Sequence, residues 1–159
     1  MKIYINGDIL DEPEAKISVF DRGFLYGDGI FETMRSYNGA VFRIRDHLDR
    51  LYSSMKELKI RQRLSNRELE KAVYNLLLVN KLNDASIRVT VSRGVSENRA
   101  FNISKNEAAN TVIVAQKFLA RPSKFYNEGI KIDISRYRRS SRSLLPKFKA
   151  LNYLESIIA

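Results

Sequence analysis

Two Asn-Gly pairs, at residues 6–7 and 38–39, constrain the fold of this chain more than any other feature. Asn-Gly favours the two-residue type I′ turn, which joins neighbouring antiparallel strands. The flanking residues are rich in apolar, β-branched and aromatic side chains, as strands are. We therefore predict strands at 2–5 and 8–10 around the first pair, and at 30–37 and 40–44 around the second. The N-terminal half is expected to be an antiparallel sheet.

Helical spacing governs the middle of the chain. Apolar residues that follow Asp46 recur at intervals of three and four, which predicts one helix. A second helix is predicted from Ser65, because a serine followed three residues later by Glu68 is the capping-box pattern. Further strands are predicted at 16–20, 86–92, 111–118 and 129–135, and a last helix at 152–159.

The pattern is interrupted at Arg121-Pro122, which predicts a boundary between two domains. We predict a small α+β domain at 1–118, a linker at 119–128 and the beginning of a larger domain at 129–159. A strand, a basic loop and half a helix cannot bury a core of their own, so the second domain is expected to be incomplete. The long polar loop at 93–110 is a candidate functional segment, since long loops often carry function.

The formal charge of +10 raises the question of an anionic partner. The interval 136–149 is basic and contains no acidic residue, which leaves open a basic module that binds nucleic acid or a partner chain. No further motif supports nucleic acid, so small molecules are the expected partners. The sequence has no cysteine, which excludes disulfides and thiolate metal sites, and we expect no metal. Without a long apolar run we expect no membrane span and a cytoplasmic protein.

Four short stretches carry a family resemblance. They are Asp21-Arg22-Gly23 with Tyr26–Arg35 (Tyr-Gly-Asp-Gly-Ile-Phe-Glu-Thr-Met-Arg), His47–Leu51, Val91–Gly94 and Lys149–Leu154. In this order and spacing the chain resembles the class IV aminotransferases, the fold-type IV family dependent on pyridoxal 5′-phosphate. Branched-chain aminotransferases, D-amino acid transaminase and aminodeoxychorismate lyase are members. The resemblance implies the D-amino acid aminotransferase-like fold, with this chain as its N-terminal part and most of the larger domain missing. The chain alone is therefore expected to bind the cofactor poorly and to be inactive.

The resemblance also implies roles for three residues at the cofactor. Lys149 matches the lysine that forms the Schiff base, a reaction that requires a neutral primary amine. Arg50 matches the arginine that binds the cofactor phosphate through its planar fork of donors; the alternative is a surface arginine paired with Asp46 or Asp49. Tyr153 matches a tyrosine near the cofactor's phenolic oxygen, and a helix-face core tyrosine is the alternative.

Substrate contacts are implied for four residues. Tyr26 and Phe31 match positions in the pocket wall, where aromatic surface would enclose an aliphatic or aryl substrate. A plain sheet-core role is the alternative for Phe31. Arg88 matches an arginine that binds an acceptor carboxylate in some branched-chain enzymes, and Arg93 and Arg99 compete for that role.

We therefore predict an aminotransferase that transfers an amino group between an amino acid, branched-chain-like or D-, and a 2-oxo acid. The alternative within the family is aminodeoxychorismate lyase, which eliminates pyruvate to give 4-aminobenzoate. The resemblance further implies a homodimer. The threonine at position 33 argues against a standard branched-chain member, whereas Arg88 and Tyr153 favour one.

Overall fold

The computed structural model describes residues 1–96, 103, 108–137, 140 and 142–159 of the chain. The strands are β1 (Lys2–Ile5), β2 (Asp8–Asp11), β3 (Gly29–Tyr37), β4 (Ala40–Val41), β5 (Ala85–Ser92) and β6 (Asn110–Lys117). The helices are α1 (Arg22–Tyr26), α2 (Ile44–Glu57), α3 (Asn66–Val79), α4 (Lys124–Asn127) and α5 (Leu154–Ile158). Short 3₁₀ turns lie at Glu12–Glu14 and Leu145–Lys147.

The six strands form one sheet in the order β2-β1-β6-β5-β3-β4, and every pair is antiparallel. Both predicted hairpin turns are confirmed. Asn6 and Gly7 have φ of 54° and 119°, and Asn38 and Gly39 have φ of 48° and 82°, so both residues of each turn are left-handed, as a type I′ turn requires.

The core lies between one face of the sheet and helices α2 and α3. Alternate residues of β3 and β5, including Ile30, Met34 and Val89, are buried on this face together with Leu48 and Leu76 of the helices. α3 begins with the predicted capping box, in which Ser65 and Glu68 each accept from the other's backbone N–H. Among the described residues, no helix has the length and apolar composition that crossing a bilayer demands.

Two predicted strands near the second hairpin and the glycine-rich stretch differ from the structure. The return strand at 40–44 is only β4, because Arg43 adopts a left-handed conformation (φ 51°) and α2 begins at Ile44. Residues 16–20 form no strand, since the Ser18 carbonyl accepts from Asp21 N–H (3.0 Å) and turns the chain. Local hydrogen bonding therefore outweighs apolar composition at both places.

The strand predicted at 129–135 is also wrong. Ile130, Ile132 and Ile134 alternate as a strand would, yet they are 56%, 80% and 92% exposed and belong to no strand. Alternation indicates one apolar face, but a strand needs a neighbouring strand to satisfy its backbone groups. The helix predicted at 152–159 is present in a shorter form as α5. The division into two domains around 119–128 stays a prediction.

Candidate active site

The segment around Lys149 lies against the free edge of β3. Phe31 N–H donates to the Lys149 carbonyl (2.9 Å), and Leu151 N–H donates to the Gly29 carbonyl (3.0 Å). These two bonds form an isolated antiparallel bridge to β3 and therefore set the register of the segment. The side chain of Lys149 is about one third exposed (34%), so its amine is accessible while its backbone is held.

The carboxylate of Glu32 is the centre of the charged groups at this edge. It is 1% exposed and accepts two hydrogen bonds from Arg50, Nε to Oε1 and Nη2 to Oε2, each 2.6 Å. His47 Nδ1 lies 2.9 Å from Oε2, and Lys149 Nζ lies 3.8 Å from the same oxygen. α2 places His47 and Arg50 one turn apart on the face towards β3, as their spacing of three requires.

These contacts keep Glu32 ionised. Burial by itself would raise the pKa of Glu32, but the hydrogen bonds from Arg50 and His47 and the charges of Arg50 and Lys149 outweigh it and lower the pKa. The hydrogen bond to Glu32 in turn raises the pKa of Arg50. A buried anion therefore holds a guanidinium and a primary amine at one site. The bonds from Arg50 use Nε and Nη2, do not involve Nη1, and leave the side chain 56% exposed.

A second group of side chains lies around the Phe31 ring. Its ring is 6% exposed and makes an edge contact with Tyr153, with centroids 5.3 Å apart. The Arg88 guanidinium lies 3.7 Å from the Phe31 ring centroid, and Lys149 Nζ lies 5.4 Å from it. Burial lowers the pKa of Arg88, and the nearby Tyr153 acts in the opposite direction. Lys149 thus stands between the Glu32 carboxylate and an aromatic surface that carries a second cation.

The predicted residues fall into these two groups with three exceptions: Tyr26, Arg99 and Arg93, which bonds to Asp28. Arg50 and Lys149 meet at Glu32, while Phe31, Arg88 and Tyr153 meet at the Phe31 ring. Tyr26 is 37% exposed; its ring lies against the Arg22 guanidinium (5.4 Å), and its carbonyl accepts from Asn152 Nδ2 (3.2 Å). Arg99 lies outside the described residues.

A buried ionic group holds the loop before β3. Asp28 accepts from Arg22 Nε (2.9 Å), from Arg93 Nε (2.8 Å) and from Arg93 Nη2 (3.0 Å). Arg93 also donates to the carbonyls of Leu58 and Lys59 at the end of α2 (3.0 Å each). Burial would raise the pKa of Asp28, but the hydrogen bonds from both arginines lower it. Arg93 is 5% exposed, so it is positioned to brace the loop from within.

Asp21 fixes the other end of the same loop. Its buried carboxylate caps α1 by accepting from the N–H groups of Gly23 (2.7 Å) and Phe24 (3.3 Å). It also accepts from Ser92 Oγ and from Asn110 Nδ2, both at 2.6 Å. The stretch 21–29 therefore contains a short helix, whose cap residue is bonded to the last residue of β5 and the first residue of β6.

The sequence profile of the family described as Amino-transferase class IV matches residues 29–159. The chain belongs to this family. The match spans β3, both core helices and the Lys149 segment, and it confirms the resemblance that the four motifs indicated.

Named relatives of the class IV family align along much of the chain. A Methanocaldococcus jannaschii protein, provisionally named a branched-chain-amino-acid aminotransferase, is 42% identical over 160 residues, which cover 100% of this chain and 54% of that protein. D-alanine aminotransferase of Staphylococcus haemolyticus is 32% identical over 99% of this chain and 55% of its own length. Aminodeoxychorismate lyase of Bacillus subtilis is 40% identical over 97 residues, 60% of this chain and 33% of that protein. The chain thus spans about half the length of the first two relatives.

Solved structures of the family share the fold. The crystal structure of the Escherichia coli branched-chain amino acid aminotransferase has a TM-score of 0.90 at 28% identity, over 98% of this chain and 53% of that one. Another branched-chain amino acid aminotransferase, solved with pyridoxamine 5′-phosphate, has a TM-score of 0.70 at 29% identity, over 76% of this chain and 40% of that one. The α+β fold class is confirmed.

Glu32 is the residue of this candidate site to which no role was assigned from the sequence. A signal was present, since Glu32 lies between Ile30 and Met34 on the buried face of an apolar strand. An acidic residue at such a position needs a cationic partner. His47 and Arg50, three residues apart on the next helix, are the partners that this requirement would have indicated.

Proposed function

We propose that the protein is an aminotransferase dependent on pyridoxal 5′-phosphate, which moves an amino group between an amino acid and a 2-oxo acid. The observation that carries the proposal is the position of Lys149. Its accessible amine lies 3.8 Å from a buried carboxylate that also binds the Arg50 guanidinium, and its backbone is bonded to β3. An amine fixed in this way is suited to act as a nucleophile and then as a base.

The described residues fit such a cofactor in their chemistry. Lys149 supplies the primary amine for the covalent bond, and Arg50 supplies an exposed guanidinium for a phosphate. Phe31 and Tyr153 supply aromatic surface next to the amine. When bound, pyridoxal phosphate provides an electron sink for negative charge at the substrate Cα.

The charged groups assign separate tasks to the protein's own residues. Once its amine is free, Lys149 Nζ would take the proton from Cα of the amino acid, and in the half-reaction with the 2-oxo acid it would deliver a proton to Cα of the new amino acid. Glu32 binds the amine in the interval in which it carries that proton. The bidentate bond from Arg50 shares the charge of Glu32, which keeps this carboxylate from binding the amine too firmly.

The aromatic group indicates how a substrate would be held. Phe31 and Tyr26 provide apolar surface for an aliphatic side chain, such as that of a branched-chain or D-amino acid. Arg88, on the Phe31 ring, supplies a cation for a substrate carboxylate, and Arg99 is proposed as a further carboxylate ligand. The names of the relatives support both amino acid classes. We further propose a homodimer located in the cytoplasm.

A second candidate reaction is elimination of pyruvate from aminodeoxychorismate, for which the same lysine would serve. The observation that favours it is the 40% identity to the Bacillus subtilis lyase over 97 residues.

A substrate panel tests both reactions in one design. The full-length protein, loaded with pyridoxal phosphate, is given branched-chain L-amino acids and D-alanine with 2-oxoglutarate, and separately aminodeoxychorismate. We expect glutamate to form from at least one amino acid, and the Lys149→Ala variant to form none. Formation of 4-aminobenzoate without any transfer would favour the lyase. No product from either set, or full turnover by Lys149→Ala, would refute the proposal.

A further inference from the structure

The glycines before β3 are placed where the lysine segment, residues 149–152, comes closest to the small α+β part of the chain. We propose that Gly27 and Gly29 form a seat for this segment, and that Asn152 is a positioning residue that fixes Lys149 relative to Glu32. The catalytic consequence rests on the proposed function, whereas the seat itself does not.

The first observation is the closeness of the backbone at both glycines. A Cβ added to Gly27 would stand 2.5 Å from Asn152 Nδ2. A Cβ added to Gly29 would stand 2.7 Å from Leu151 Cδ1 and 2.7 Å from the Val91 carbonyl oxygen. A Cβ at Gly27 would therefore displace the Asn152 side chain, and a Cβ at Gly29 would clash with the backbone of β5.

The second observation is the pattern of hydrogen bonds across the segment. Asn152 Nδ2 donates to the Tyr26 carbonyl (3.2 Å), beyond the two backbone bonds that bracket Ala150. Three contacts thus hold four consecutive residues, two to β3 and one to the end of α1. A slip of one residue along β3 would turn the Lys149 side chain to the other face of the sheet, away from the Phe31 ring, and would change its distance from Glu32.

The third observation is that the seat is held by groups outside the segment. Asp21 and Asp28 bind the two ends of the loop through buried hydrogen bonds to Ser92, Asn110, Arg22 and Arg93. None of these six residues lies in the segment 149–152. The seat is therefore a built feature onto which the segment docks.

The activity of Lys149 is expected to depend on the position of its amine, which lies 3.8 Å from a Glu32 carboxylate oxygen. A misplacement of about 1 Å in a catalytic group can cost about 100-fold in rate. Asn152 lies three residues from Lys149. A side chain at Gly27 would push the Asn152 amide away from the Tyr26 carbonyl, and loss of this bond would let the segment that carries Lys149 shift. Asn152 would then affect turnover without touching substrate.

The test is a double-mutant cycle with matched glycine controls. Gly27→Ala adds the clashing Cβ, Asn152→Ala removes the group it meets, and the double variant has neither the clash nor the bond. Gly129→Ala is the control for backbone strain, since Gly129 has φ of 77°, close to the 67° of Gly27, with no atom within 4 Å of its added Cβ. Gly39→Ala (φ 82°) is a second such control.

We expect Gly27→Ala to lower kcat about 100-fold with little change in KM, and the double variant to be no slower than Asn152→Ala alone. Gly129→Ala and Gly39→Ala should keep wild-type kcat. The midpoint of thermal unfolding, measured on all variants, should show the same rescue in the double variant even if the wild type proves to have no transferase activity. Equal losses in Gly27→Ala and Gly129→Ala, or effects of Gly27→Ala and Asn152→Ala that simply add, would overturn the seat. Rescue of unfolding with kcat unchanged throughout would overturn the positioning role.

Discussion

Replacement of Asp28 by asparagine is expected to destabilise the protein, because it removes the charge that two buried arginines share. The side chains of Arg22 and Arg93 are only 5% and 6% exposed, and that of Asp28 is 20% exposed. Asparagine has nearly the same shape, but its amide nitrogen would face a guanidinium where a carboxylate oxygen now accepts. The change therefore tests the charge with little change of volume.

The magnitude follows from what remains bonded after the change. Removing one partner of a buried ion pair costs about 3–5 kcal/mol, because the other charge stays buried without compensation. Arg93 keeps its two bonds to the carbonyls of Leu58 and Lys59, and asparagine keeps one oxygen as an acceptor. We therefore expect a loss of about 3 kcal/mol in the free energy of unfolding, at the lower end of that range.

The difference from the wild type should depend on pH in a defined direction. The pKa of Asp28 is lowered in the folded state, so its contribution is fully present above the ordinary aspartate pKa of about 3.9. It is lost as the pH falls through the folded-state pKa. The gap between wild type and Asp28→Asn should be constant near neutral pH and should close in acid.

Urea unfolding at a series of pH values measures this gap. Asp11→Asn is the matched control, since Asp11 pairs with Lys2 at 2.8 Å but both side chains are exposed, 55% and 41%. We expect the control to stay close to wild type at neutral pH, as exposed pairs contribute little. A loss below about 1 kcal/mol for Asp28→Asn, or a gap that persists unchanged in acid, would refute the reasoning.

Two further substitutions test other parts of the account. Glu32→Gln should lower the free energy of unfolding by about 2 kcal/mol at neutral pH, since it weakens the charge-assisted bonds from Arg50. Because the pKa of Glu32 is lowered in the folded protein, the difference in unfolding free energy between wild type and variant, measured with urea, should shrink in acid. A difference that widened in acid would contradict the prediction. Ser65→Ala should cost about 1 kcal/mol through loss of the α3 cap, whereas Ser65→Thr, which keeps the hydroxyl that bonds to Glu68, should retain it. Equal losses in the two Ser65 variants, measured by urea unfolding, would count against a capping role.

The regular elements were predictable because their signals are local. The two Asn-Gly turns and the Ser65 capping box each depend on a few neighbouring residues, and each is present. The strand predicted at 129–135 is absent, because alternation of apolar residues indicates only an apolar face and not whether another strand pairs with it. The strand predicted at 16–20 is absent for a local reason, since the Ser18 carbonyl accepts a hydrogen bond from Asp21 N–H and closes a turn.

The site was predictable only where the family resemblance named a residue. It named Lys149 and Arg50 as functional, but it did not indicate that both meet at Glu32. Those contacts join Glu32 to two residues that lie 18 and 117 positions away in the sequence, and no local pattern reports such distances. The glycines at 23, 27 and 29 are typical of a place where another group comes close, but nothing in the sequence indicates that Asn152 is the group that meets Gly27.

The central claim is that Lys149 is the amine that reacts with the cofactor. The most direct measurement is to incubate the full-length protein with pyridoxal phosphate, reduce the product with borohydride, and locate the modified residue by mass spectrometry. Lys147, two residues away and paired with Glu57, serves as an internal control for nonspecific reaction. We predict a single dominant modification at Lys149, which Lys149→Arg abolishes. Modification spread equally over Lys147 and other exposed lysines, or unchanged in Lys149→Arg, would contradict the account.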